Sequence, residues 1–157
     1  MSLTREDARV STAVNVIPEY LGSGNPALKS YYPEWVNNIA DDATVEGSML
    51  NGAVQGADAV RTIVLTIRSL YEHQEFKFAG PYGDNGFLED YVAKVDGEPI
   101  GCVVLVTRHA DGRTAHVVAS YRPLRSLLFF SRRLREKFAG TPIAEHFAAS
   151  EFSSQSK

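Results

Sequence analysis

Near residue 72 the spacing of apolar residues changes from the period of a helix to the period of a strand. Upstream, Val60, Ile63, Val64, Ile67, Leu70 and Tyr71 recur at i, i+3, i+4 and i+7, which predicts an amphipathic helix opened by Gly56 and Asp58. Downstream, four segments of alternating character, 74–79, 87–95, 100–109 and 114–121, predict strands. The separators are short and rich in turn formers: residues 81–86, Asp96-Gly97-Glu98-Pro99 and Asp111-Gly112. Asp-Gly supplies the positive φ of a tight hairpin, so the last two strands pair antiparallel. Helices followed by an antiparallel meander make the class α+β, with a curled sheet backed by N-terminal helices.

The rest of the chain is read in the same way. Thr4 and Asp7 resemble a capping box ahead of a first helix with Val10, Ala13, Val14 and Ile17 on one side. Gly22-Ser23-Gly24 ends it. Asn25 then caps a second helix with Pro26 at its first position and a broad face of Leu28, Tyr31, Tyr32, Trp35 and Ile39. A short strand follows over 43–49. Pro123 opens an extra C-terminal helix over about 123–139, with Leu124, Leu127, Leu128, Leu134 and Phe138 along one side. Residues 150–157 form a polar tail. At 157 residues the chain is expected to make a single domain.

Composition narrows the function classes. A net charge of −3 argues against nucleic acid as the main partner, because phosphate binding wants a basic excess. Cys102 is the sole cysteine, so an internal disulfide and a multi-cysteine zinc site are both excluded. The acidic start without an apolar run predicts no signal peptide, and no apolar run reaches membrane-spanning length. A cytoplasmic protein is expected. Charge is uneven: residues 122–138 carry Arg122, Arg125, Arg132, Arg133, Arg135 and Lys137 against Glu136. The C-terminal helix therefore has three readings: a cap over the open end of a cavity, a dimer contact, or an arginine-bearing surface for anionic membranes.

The hairpin at Asp111-Gly112 fixes which side chains share a face. If Thr107 opposes His116 and Val106 opposes Val117, one face carries Phe87, Glu89, Tyr91, Cys102, Val104, Val106, Arg108, Ala115, Val117, Ala119 and Tyr121. The other carries Asp90, Lys94, Thr107, His109, Thr114, His116 and Ser120 among apolar residues. The first face covers the helices and lines any cavity, so Tyr91, Val104, Val106 and Tyr121 are candidate ligand contacts. Glu89 and Arg108 are the two charged groups on that surface. A desolvated Glu89 would serve as general acid or base near neutral pH, with Arg108 holding it ionised or binding an oxyanion. The alternative is a structural ion pair, or two side chains reaching water. Tyr31, Tyr32 and Trp35 are either ligand contacts or plain core. His109 and His116 lack a third ligand, so no metal is expected, and no phosphate-cradling loop or nucleophile elbow appears.

Two segments resemble a known family: Ala40-Asp41-Asp42-Ala43-Thr44-Val45-Glu46 ahead of the short strand, and Gln55-Gly56-Ala57-Asp58-Ala59-Val60 at the helix start. With the order of elements, they resemble the nuclear transport factor 2-like superfamily, and within it SnoaL-like polyketide cyclases and ketosteroid isomerases. The resemblance covers about residues 4–121. It implies a cone-shaped curved sheet wrapped around the N-terminal helices, a cavity for a small hydrophobic or polycyclic ligand, no cofactor, and a homodimer. Residue by residue, it also implies departures. The isomerases' general base would fall on Gly47, their oxyanion aspartate near Val106, and their oxyanion tyrosine on Tyr20. The two carboxylates of limonene epoxide hydrolases have no counterpart on 114–121. Two classes of function follow: a cofactor-free isomerase, cyclase or dehydratase working by acid–base chemistry, or a binding or accessory protein with the same cavity and no turnover.

Overall fold

The structure, a computed structural model, describes residues 17–149. The expected first helix lies outside the described residues up to residue 16; its last part, ahead of Gly22-Ser23-Gly24, holds only a 3₁₀ turn at Glu19–Leu21, and the polar tail also lies outside the described residues. Six strands form one curved, unclosed sheet: β1 (Ile39–Gly47), β2 (Val54–Gln55), β3 (His73–Tyr82), β4 (Gly86–Val95), β5 (Glu98–Arg108) and β6 (Thr114–Arg122). Two α-helices accompany them, α1 (Ala57–Leu70) and α2 (Leu124–Lys137). The spatial order is β2-β1-β6-β5-β4-β3. Strands β3 to β6 are the antiparallel meander that the period-2 segments predict, and the registers agree: Phe87 faces Val106, Tyr91 faces Cys102, and Thr107 faces His116.

Helix α1 presents Val60, Ile63, Val64 and Ile67 to the concave face, each burial contributing roughly 1.5–3 kcal/mol. Asp58 in its first turn and Arg68 in its last complement the helix dipole.

Four expectations need correction. First, the sheet is mixed: β1 runs parallel to β6, Val45 beside Val117 and Gly47 beside Ala119. A parallel neighbour is reached through a long crossover, which leaves no local turn signal.

Second, residues 25–39 make no continuous helix. They form 3₁₀ turns at Pro26–Leu28 and Glu34–Asn37, and Ile39 already begins β1. Pro33 lacks a helical donor and disfavours helix at Tyr32. The segment's backbone is instead held by β3, with Asn25 N–H donating to the Phe76 carbonyl at 2.8 Å and Lys77 to the Leu21 carbonyl at 2.8 Å.

Third, a bulge between Thr107 and Arg108 sets Thr114 opposite Arg108. Thr114 thus turns inward, 1% exposed, and donates to the Trp35 carbonyl at 3.0 Å. Fourth, α2 buries Phe130, Ser131, Leu134 and the following Phe138, while Leu124 is 68% exposed. Of the expected stripe, Leu134 and Phe138 are buried and Leu127 packs half-buried against the core, whereas Leu124 and Leu128 face outward. Among the described residues, no helix is long and apolar enough to cross a membrane.

Candidate functional site

Glu89 sits at the middle of β4 on the concave face and is 2% exposed. Its Oε2 accepts two hydrogen bonds, one from the Tyr31 hydroxyl and one from Trp35 Nε1 at 2.9 Å. Both donors come from the irregular segment before β1. Pro33 separates them, and the 3₁₀ turn at Glu34–Asn37 carries the indole inward. Burial pushes the Glu89 carboxyl above its ordinary value, and the two hydrogen bonds and the nearby Arg68 charge oppose that rise. Tyr31 is raised in turn by its own burial and by the carboxylate it serves.

An internal cavity of about 40 Å³ lies beside Glu89, with Trp35, Arg68, Tyr91, Val104 and Tyr121 on its walls. That volume suits a few water molecules or a small functional group. At its base three hydroxyls meet: Tyr71 lies 2.7 Å from Tyr91 and 2.9 Å from Tyr121. Burial raises all three tyrosines, so they are neutral donors. Two mutual bonds consume two of three hydroxyl protons, leaving one for another acceptor, among which the Cys102 sulfur is within reach of Tyr91 and Tyr121. Cys102 lies beside them, and burial pushes its thiol up to about 12, which makes it inert. Phe130 of α2 closes this end, its ring 5.8 Å from Tyr71 and 6.0 Å from Tyr121.

Arg108 does not meet Glu89. Its guanidinium lies over the Phe87 ring, 5.3 Å from the centroid, in an open groove shared with Tyr32 and Glu34. The structural ion pair between Glu89 and Arg108 is therefore absent. Tyr32 is largely exposed beneath the Arg68 guanidinium at 5.0 Å. Val106 is packed in the core and does not line the cavity. Tyr20 is exposed, away from the carboxylate site.

Gly47 is explained by close approach. An added Cβ would collide with the Ala119 carbonyl oxygen, and Ser48 N–H bonds that same oxygen at 3.0 Å. No side chain fits at this position, where the resemblance would put a general base.

Two residues escaped the sequence reading: Arg68 and the hydroxyl of Tyr71. Arg68 follows Val64 by four positions, so a cation on the buried stripe was the available signal.

No family model and no curated protein matches the sequence. Among solved structures, an uncharacterised bacterial protein with a cystatin-like fold from Silicibacter pomeroyi aligns with a TM-score of 0.62 at 13% identity, over 68% of this chain and 74% of that one. A steroid delta-isomerase from Pseudomonas aeruginosa aligns at 0.59 and 19% identity, over 69% and 82%. A de novo designed protein with a curved β-sheet aligns at 0.50 and 14%, over 78% and 92%.

The chain has the nuclear transport factor 2-like cone fold. In this version of the cone, the buried carboxylate stands on β4, separated from Gly47 on β1 by the two intervening strands β5 and β6.

Proposed function

We propose that this chain is a cofactor-free acid–base catalyst acting on a small hydrophobic carbonyl compound, with Glu89 as its proton-transfer group. The observation that carries the reading is a fully buried carboxylate held by two neutral donors, Tyr31 and Trp35, on the wall of a largely apolar cavity that Arg68 also borders. Such a group, its carboxyl raised above the ordinary value by burial, is suited to exchange a proton with a substrate. Oε1 receives neither of the two bonds and is the oxygen that would take the substrate's proton. The spare proton of the Tyr71–Tyr91–Tyr121 cluster would stabilise charge developing on the substrate oxygen. The steroid delta-isomerase that shares this fold performs an isomerisation by its name, which agrees with proton transfer as the reaction class. A cytoplasmic homodimer completes the reading, as the resemblance implies.

The test is solvent-deuterium exchange into a panel of small enolisable ketones and aldehydes, followed by proton NMR. Wild type should catalyse exchange on some member, and Glu89→Gln should lose at least about 100-fold of that rate. Equal exchange by the variant overturns the assignment of Glu89.

One observation favours a second reading, a binding protein without turnover. The cavity beside Glu89 is about 40 Å³, far below the roughly 300 Å³ at which small-molecule sites begin. Saturable binding in the absence of exchange on any panel member would select it.

A further inference from the structure

A second, larger recess lies outside the Glu89 cavity. It is a cleft of about 430 Å³ between the 24–31 segment, the end of α1 and the start of β3. That size is within the range of drug-sized ligand sites. Its walls are partly apolar, with Leu28, Tyr31 and Phe76, and its charges are unbalanced. The one carboxylate on the wall, Glu75, is already engaged: Oε1 accepts from Gly24 N–H at 3.0 Å and Oε2 meets His73 at 2.7 Å. The two permanent cations, Lys29 and Arg68, have no carboxylate within ion-pair distance among the described residues. Arg68 Nε is buried and has no hydrogen-bond partner.

A buried guanidinium N–H without an acceptor is costly, and folds seldom keep one without use. Tyr32 covers one face of the guanidinium by a cation–π contact, which leaves its in-plane donors unspent. Glu89 lies across the inner cavity but forms no ion pair with Arg68, and its own burial opposes the charge that would neutralise the arginine. Arg68 borders the cleft as well as the inner cavity.

We propose that this cleft binds an organic monocarboxylic acid, with the carboxylate on Arg68, Lys29 as the second cation, and the apolar body of the acid against Leu28 and Phe76. A bare inorganic anion would leave the apolar walls in water, and a neutral ligand would leave the Arg68 guanidinium without a counter-charge. The site is distinct from proton transfer at Glu89 and stands without it.

The experiment measures binding by thermal shift and by NMR titration, with 4-phenylbutanoate, its neutral counterpart 4-phenylbutan-1-ol, and acetate as probes. The acid should bind saturably and at least about tenfold more tightly than either comparison, and Arg68→Gln should weaken it by about tenfold or more. In wild type, the Arg68 Nε–H resonance should move with the acid and stay in place with the alcohol. That signal decides the matter even if Arg68→Gln does not fold. Equal binding of the alcohol, equal binding of acetate, an unmoved Arg68 resonance, or no saturable binding of the acid would each overturn the proposal. Because binding alone is read, a failed deuterium-exchange screen leaves this result intact.

Discussion

Glu89 and Asp90 are consecutive on β4, yet the two sides of the sheet treat their carboxylates in opposite ways. Glu89 points into the cone, where neutral donors from Tyr31 and Trp35 reach it. Asp90 points to the convex side, between Lys77 at 3.7 Å and Arg122 at 3.2 Å, and keeps about a quarter of its side-chain surface in solvent. Arg122 reaches it by crossing Gly101, where a Cβ would stand 2.8 Å from the guanidinium carbon. The convex carboxylate is thus paired with full charges beside water. The concave one is paired with dipoles away from water. Only the second arrangement leaves protonation as an accessible response to burial, which is what a proton-transfer group requires.

The largest expected effect comes from stripping Glu89 of its donors. The double variant Tyr31→Phe, Trp35→Phe should lose about 3–6 kcal/mol at neutral pH, since each of the two bonds to a charged group contributes about 1.5–3 kcal/mol. The loss should shrink at acid pH, where the carboxyl is neutral. Urea denaturation at two pH values checks this, and a pH-independent loss would mean that only packing was removed.

A smaller effect of opposite sign is expected from Glu89→Gln, which should gain about 1 kcal/mol at neutral pH, as replaced functional groups often do. The native carboxyl sits above its ordinary 4.5, so the folded protein holds this proton more tightly than the unfolded chain does. Wild-type stability therefore falls as pH rises from about 4.5 through the folded value, and the variant should lack that fall. Thermal melts across pH read both. A less stable variant would break the contrast between the two faces.

The smallest effect belongs to the convex side. Asp90→Asn should cost about 0.5–1 kcal/mol at neutral pH, and added salt should reduce the cost. Melts at low and high salt check it; a salt-insensitive loss would place Asp90 in the same category as Glu89.

These contrasts also mark how far the amino-acid sequence could be read. The alternation along β4, β5 and β6, together with Asp111-Gly112, was sufficient to put Glu89, Tyr91, Val104 and Tyr121 on one face, and the registers agree. Alternation and turn chemistry are properties of adjacent residues, so they survive without knowledge of the fold. The apolar stripe of α1 was legible for the same reason. On residues 25–39 the period misled, because Tyr31, Tyr32 and Trp35 have helical spacing while Pro33 and the bonds to β3 forbid the helix.

What the sequence by itself determined is therefore the α+β class, the meander and the isolation of one carboxylate on an apolar face. Tertiary structure alone decided who answers that carboxylate. Tyr31 and Trp35 are 58 and 54 residues away from Glu89 along the chain, and Arg108, its same-face neighbour by alternation, turns to Phe87 instead. The bulge that moves Thr114 inward, the parallel docking of β1 on β6 and the unpaired Arg68 likewise arise where distant segments meet. Local periodicity orients a side chain toward a face; long-range packing brings the groups that set its charge.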